Sequence, residues 1–304
     1  MMEVNDFRYL IIGGSTKCAT TSLFEYLAVH PQINASVKKE SRFFWTDEYK
    51  ISEETVNYKN GIEHYNEVFT TSKKTDLRLE ATPDYLYSQK TMQLFADNVH
   101  QCKFIFVLRN PVDRIISWYK FSKQLNLIPA KEPIDVYISK QLKANQAIQL
   151  QHERAVEQGR YGYYLKPWYE KFSSQNIYVC FYNDLTENPL NEMQSICRFA
   201  GIDETFYKNF EFKVYNKSVV VKDAEQFSKY RVFRRNLRRT LKSVPLGKLI
   251  KQLLKPVDTA YMNKQTTAQA ETISISDDLL NRLKNLYEAD KKQLEILIQK
   301  KVNW

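Results

Sequence analysis

Two segments of this chain place a cation where an anion could be held. The first covers residues 11–23, IIGGSTKCATTSL: an apolar run, two glycines, a lysine, then hydroxyl residues at a helix start. Such a turn aims backbone N–H groups and the positive end of a helix at an anion. Lys17 adds a full charge, and Thr20, Thr21 and Ser22 add hydroxyls. The spacing is not that of a nucleoside-triphosphatase loop, which needs Gly immediately before the Lys, because Thr16 stands there. The plainer reading is a strand-to-helix turn carrying an exposed lysine.

The second segment is KFIFVL, residues 103–108, followed by Arg109-Asn110-Pro111. In phosphate-loop triphosphatases the corresponding strand ends in an Asp that helps hold Mg²⁺. Here it ends in Arg109, whose planar fork suits a phosphate and whose place at the carboxyl end of a parallel strand faces the ligand side of such a sheet. Ser117, eight residues on, adds a hydroxyl about two helical turns along. The alternative is that Arg109 caps a helix or pairs with an acid. Taken together, the lysine loop and the arginine strand end read as two phosphate sites with no obligatory metal.

The elements that must position these groups alternate between strand-like and helix-like over the first two-thirds of the chain. That order predicts an α/β fold with a central, mainly parallel sheet flanked by helices. Strands are expected at residues 7–12, 77–81, 103–108 and 176–182. Helices are expected at 20–30, 111–123, 134–158 (one long helix), 163–173, 189–200 (ended by Gly201) and 277–301. The 304 residues can bury a sizeable core, and 43% hydrophobic with 26% charged residues excludes disordered, collagenous and disulfide-scaffold classes. Cys18, Cys102, Cys180 and Cys197 lack metal-ligand spacing and read as reduced thiols of a cytoplasmic protein. No run approaches the roughly 18 apolar residues of a membrane span, and the N-terminal apolar piece is too short for a secretion signal.

The net charge of +10 is concentrated: residues 228–255 hold ten Lys and Arg and no acid, so the remainder is neutral. Nucleic-acid binding therefore finds little support, and none is expected. Within that stretch, apolar residues recur at helical spacing on both sides of Pro245. Two basic amphipathic helices would suit an anionic membrane surface, an anionic glycan or a lipid-linked acceptor, or would simply form a solvated charged face. Aromatics are abundant, with 20 Tyr, 17 Phe and 4 Trp. Tyr85, Tyr87, Trp118 and Tyr119 are candidates for stacking against a sugar, although most such rings belong to a core.

The two anion segments resemble the cofactor motifs of sulfotransferases that use 3′-phosphoadenosine 5′-phosphosulfate (PAPS), closest in flavour to the carbohydrate branch that includes heparan sulfate sulfotransferases. Lys39-Glu40-Ser41-Arg42-Phe43-Phe44 is similar to that branch's acid-x-His-Phe-Phe segment. Glu80-Ala81-Thr82-Pro83-Asp84-Tyr85 is similar to its Glu-Lys-Thr-Pro segment. The stretch from Gly159-Arg160-Tyr161 to Trp168 and the Asn216-Lys217-Ser218 loop are weaker matches.

The resemblance implies a P-loop-like three-layer fold, a single domain over 1–304 with a basic helical insertion at 222–262, and a bacterial-type enzyme. Its co-substrate would be PAPS, with no metal required. Lys17 would be catalytic and, with Cys18, Ala19, Thr20, Thr21 and Ser22, would bind the 5′-phosphosulfate. Arg109 and Ser117 would take the 3′-phosphate, with Tyr161 and Lys217 completing the nucleotide site. Glu40 would be the general base, and Arg42, Asp84 and Tyr85 would face a saccharide, polysaccharide or glycolipid acceptor. Without the family match, Glu40 reads as a surface acid beside Lys38 and Lys39. Two departures, Arg42 for the family's His and Ala81 for its Lys, both fall on the acceptor side. The expected location is cytoplasmic, with peripheral contact at the inner membrane surface through 228–255. The competing readings are a kinase-like phosphate-loop enzyme and a non-catalytic glycan- or membrane-binding protein on this fold.

Overall fold

The computed structural model describes residues 3–45, 57–70, 77–129, 131–143, 153–213 and 273–304, with scattered positions between 215 and 267. The chain divides into two compact units: Met1–Arg114 with Glu157–Asn216 and Leu283–Trp304, and Ile115–Val156 with Lys217–Arg282.

The first unit is built on five parallel strands. They are Arg8–Gly14 (β1), Ile33–Ala35 (β2), Leu77–Ala81 (β3), Cys102–Leu108 (β4) and Ile177–Phe181 (β5), arranged in the order β2-β3-β1-β4-β5. Ile12 pairs with Ala81 on one side, and Gly14 pairs with Phe106 on the other. The sheet is apolar on both faces, as parallel sheets must be when helices cover both sides. Tyr9, Ile11, Phe104, Phe106 and Leu108 join one core cluster, whereas Leu10, Ile12, Leu79, Ile105 and Val107 join the other. Against the second cluster pack Thr20–Ala28 (α1), through Leu23, Phe24 and Leu27, and a helix at Pro189–Ala200. The first cluster takes Phe95 from Gln89–Asn98 (α2) and Leu165 and Trp168 from Tyr161–Lys171, with Leu294 from Asp277–Ile298. This is the three-layer architecture that the alternating pattern predicts.

Chain order then gives Pro111–Gln124 (α3), Ile134–Lys143 (α4), Tyr161–Lys171 (α5), Tyr182–Glu187 (α6), Pro189–Ala200 (α7) and Asp277–Ile298 (α8). α7 ends at Gly201 with φ +72, the left-handed cap that glycine adopts at little cost.

The second unit contains α4 and a two-stranded antiparallel ladder, Val220–Val221 with Thr266–Thr267. The helix expected over 134–158 stops at Lys143. Residues 144–152 lie outside the described residues, and Ala155 and Val156 are turn, with the Val156 N–H donating to the Gln141 side chain at 3.0 Å and not to a helical carbonyl. Strand β2 has no counterpart among the expected strands, since INA carries no apolar run. The 222–262 insertion lies mostly outside the described residues. Among the described residues, no helix is long and apolar enough to cross a membrane.

Candidate active site

Three neighbouring strand ends, those of β3, β1 and β4, carry the chemistry. β1 runs into its turn without space to spare. A Cβ on Gly13 would stand 2.8 Å from the Phe106 ring, and one on Gly14 would stand 2.8 Å from Leu86 Cβ. The glycines are therefore demanded by packing. Beyond them Lys17 has φ +70 and Ala19 has φ +61. Left-handed residues interleaved in a turn point successive N–H groups to one side, the geometry of an anion nest. The N-cap of α1, Ala19, makes no side-chain hydrogen bond to the first turn. Ser15 Oγ lies 2.5 Å from the Tyr87 hydroxyl, and Thr16 donates to Asp84 Oδ1 at 2.8 Å, tying the loop to the end of β3.

Lys17 is partly buried, and its ammonium is pushed down to about 8, first by burial and then by the Arg109 charge. Two cations are thus held near enough to oppose one another, an arrangement that favours a polyanion between them. The Arg109 guanidinium carbon lies 4.3 Å from the Tyr182 ring centroid, and its Nε is buried with no hydrogen-bond partner. Arg114, one helical turn on, is fully buried beside Tyr87, Tyr161 and Cys18.

The carboxylates lie on the other side of β1. After β2 the chain stays beside β3, with the Ala81 N–H donating to the Lys39 carbonyl at 3.1 Å, and this delivers Glu40 to the same edge. Glu40 is 35% exposed and pairs with Lys39 Nζ at 3.3 Å and with Arg42 Nη2 at 3.2 Å. Arg42 has φ +58. Its N–H donates to Thr82 Oγ1 at 3.2 Å, and Thr82 in turn donates to Glu80 at 2.6 Å. Glu80 is completely buried and also accepts from the hydroxyls of Ser41, Tyr65 and Tyr85, at 2.7, 3.0 and 3.1 Å. Burial pushes its carboxyl up, and the four hydroxyl bonds draw it back. Sequence order across β2-β3-β1-β4 thereby brings the carboxylates Glu40, Glu80 and Asp84 to the β2–β3 side, where Lys39 and Arg42 pair with Glu40, and the cations Lys17 and Arg109 to the ends of β1 and β4.

A sulfotransferase-domain family model matches residues 8–243. The chain belongs to the sulfotransferase family. It is an enzyme of the transferase class by that membership. Human bifunctional heparan sulfate N-deacetylase/N-sulfotransferase 2 is 27% identical over 198 residues, covering 64% of this chain and 22% of its own length. The Xenopus laevis N-deacetylase/N-sulfotransferase 1 is 26% identical over 211 residues, covering 68% and 24%. The chain thus spans less than a quarter of the length of these relatives. A sulfotransferase crystal structure from Alicyclobacillus acidocaldarius aligns with a TM-score of 0.66 at 20% identity over 97% of both chains, a likeness of fold.

Within the first unit Lys17, Cys18 and Ala19 lie in the turn and Thr20, Thr21 and Ser22 open α1, with Arg109 near Lys17. Cys18 is buried, and burial raises its thiol. Ser22 Oγ accepts the Tyr215 N–H at 3.1 Å, so its hydroxyl anchors Tyr215 on α1. Asp84 is buried and engaged by Thr16, which makes it a link between loops. Ser117 lies in the second unit, and Lys217 lies outside the described residues.

Two expectations need correction. Tyr85 is completely buried, with its hydroxyl accepting the Phe44 N–H at 3.2 Å, and Tyr87, Trp118 and Tyr119 are buried as well, so none of the four rings offers a face to a sugar. Tyr161 is likewise buried, and its hydroxyl donates to the Arg109 carbonyl at 2.9 Å, so it supports the arginine from behind. Glu80, Tyr182 and Arg114 were not foreseen as site components. Tyr182 follows Phe181, the register partner of Leu108, and so stands beside Arg109, a pairing that the sequence alone does not give. Among the described residues, no three His, Cys, Asp or Glu side chains gather as a metal-holding group.

Proposed function

We propose that the chain transfers a sulfuryl group from PAPS to a hydroxyl of a saccharide, polysaccharide or glycolipid acceptor, with Glu40 as the general base. The observation that carries this reading is the arrangement of groups across the strand ends: the cations Lys17 and Arg109 at β1 and β4, and the carboxylate Glu40, held by Lys39 and Arg42, on the β2–β3 side. The residues fit the co-substrate. The Lys17 turn, with its left-handed residues and an alanine at the N-cap of α1, suits a 5′-phosphosulfate. Arg109, with its orphaned buried Nε, suits a 3′-phosphate, and Ser117 and Lys217 would join it by family resemblance.

PAPS would supply the sulfuryl group. The chain's own part is positioning and charge. Lys17 puts positive charge where the departing phosphate oxygen becomes negative. Glu40 takes the proton that the acceptor loses as its atom bonds to sulfur. Arg42 and Lys39 hold the Glu40 carboxylate in one orientation. Arg42 would meet an acceptor beside it.

The relatives named for N-sulfation of heparan sulfate favour a second reading of the acceptor atom, an amino nitrogen in place of a hydroxyl. Incubation with PAPS carrying labelled sulfate and a panel of neutral, aminated and sulfated oligosaccharides tests both. Label on hydroxyl-only sugars supports the first reading, label confined to free-amine sugars supports the second, and no transfer to any sugar rejects the carbohydrate assignment. Contact with an anionic membrane through 228–255 is proposed from charge alone.

A further inference from the structure

The start of α5 lacks a cap of its own, since the N-cap residue Arg160 makes no side-chain bond to it. The missing acceptor comes from α8. Asp290 Oδ2 accepts the Gly162 N–H at 2.9 Å, and Oδ1 accepts the Tyr163 N–H at 2.8 Å. These are two of the orphan donors that every helix start must satisfy, met here by a carboxylate on the favourable side of the helix dipole. Asp290 is buried, and burial pushes its carboxyl up while the two N–H bonds lower it.

The helices meet backbone to backbone at this point. A Cβ on Gly162 would lie 2.5 Å from the Asp290 carbonyl oxygen and 2.9 Å from the Leu294 nitrogen. One turn before Asp290, Tyr287 closes over Gly159, where a Cβ would lie 2.8 Å from its hydroxyl. Tyr161, the first residue of α5, is therefore seated from two directions. Trp304 flanks it edge-on at 6.0 Å and also packs on Phe181 at 5.4 Å, next to Tyr182. From that seat the Tyr161 hydroxyl donates to the Arg109 carbonyl at 2.9 Å. The bond pins the backbone where Arg109 leaves β4, while the Tyr182 ring supports the guanidinium at the other end of the same residue.

We propose that Asp290 is a positioning residue of the nucleotide site: by capping α5 it seats Tyr161, and Tyr161 fixes the arginine that takes the 3′-phosphate. The inference rests on the reading of Arg109 given above.

Calorimetric titration of the full chain with adenosine 3′,5′-bisphosphate and with adenosine 5′-phosphate tests it. Asp290→Asn keeps the shape but replaces one acceptor with a donor that faces an N–H. Tyr161→Phe deletes a single hydroxyl and leaves the cap intact, so it serves even if the Asn variant does not fold. Each should weaken the bisphosphate about tenfold, the size of one or two lost hydrogen bonds, and the monophosphate less than about twofold. In an Arg109→Ala background the same changes should add nothing, because residues that act through one another do not sum. Unchanged bisphosphate affinity, equal weakening of both nucleotides, or a full loss persisting without Arg109 would each overturn the proposal. A wild-type chain that fails to bind the bisphosphate overturns the nucleotide reading and this inference with it. Wild-type binding with unmoved variants removes the inference alone.

Discussion

The Arg109 guanidinium carbon stands 4.3 Å from the centre of the Tyr182 ring, and the two residues directly follow the register partners Leu108 and Phe181. Parallel pairing thus places a cation and an aromatic face side by side at the carboxyl edge. Arg109→Ala should weaken adenosine 3′,5′-bisphosphate by about 1.5–3 kcal/mol, the value of a charge-assisted hydrogen bond. Tyr182→Leu should cost less, about 0.5–1 kcal/mol if it acts by supporting the guanidinium. Calorimetry decides, and an alanine variant that binds as tightly as wild type would exclude Arg109 as a phosphate ligand.

Lys17 gives the site a pH dependence with a definite sign. Its ammonium is pushed down to about 8 from 10.5, so it is charged below that pH and neutral above it. Bisphosphate affinity should be flat up to about pH 7 and fall toward tenfold per unit beyond about 8, with proton uptake on binding near pH 8. Lys17→Met should flatten the profile. The same shift opposes folding: the folded value lies below the unfolded one, so the charged lysine destabilises the free protein below about 8, and the penalty is relieved as pH rises toward 10.5. Lys17→Met should accordingly stabilise the free protein at pH 7 by about 1–3 kcal/mol in urea unfolding. A variant less stable than wild type would contradict this account.

Glu40→Gln should leave bisphosphate affinity within about twofold and lower turnover roughly 10²–10⁴-fold, the usual weight of a general base. Steady-state kinetics with the acceptor found in the oligosaccharide panel measures this. Wild-type turnover in the variant would move the base elsewhere.

Gly14→Ala should destabilise the fold by about 1–3 kcal/mol through overpacking, because the added carbon would lie 2.8 Å from Leu86 Cβ in a fully packed layer. Nucleotide affinity should fall with it, since Gly14 leads directly into the Lys17 turn. Urea denaturation and calorimetry on the same sample check both, and a neutral substitution would show that this layer can give way.

The basic stretch 228–255 yields a prediction from charge alone. Arg234 is buried and is left in place; replacing Arg235, Arg238 and Arg239 with Gln should reduce co-sedimentation with phosphatidylserine vesicles and leave bisphosphate affinity unchanged. Wild-type sedimentation should weaken with salt, since exposed charges are screened beyond about 8 Å at 0.15 M. Equal sedimentation of the two proteins at low salt would mark the segment as a solvated surface.

What the sequence determined by itself is local. The apolar runs at 8–14 and 102–108 fixed which segments become buried strands, and chain adjacency then placed Lys17 and Arg109 at their carboxyl ends, where a parallel sheet presents ligand-binding groups. Gly201 stopped α7 where a left-handed cap was written into the chain. Tertiary structure decided everything that depends on residues far apart in sequence. The hydroxyls around Glu80 come from positions 41, 65, 82 and 85, and the cap on α5 comes from position 290, with no periodicity linking them. Tyr85 was legible as an aromatic near a site, but its burial was not, because the same ring satisfies a core or a cleft until neighbours such as Phe95 close on it. Strand β2 exists because three residues find an edge of β3 to pair with, a backbone hydrogen-bonding match that side-chain pattern does not encode.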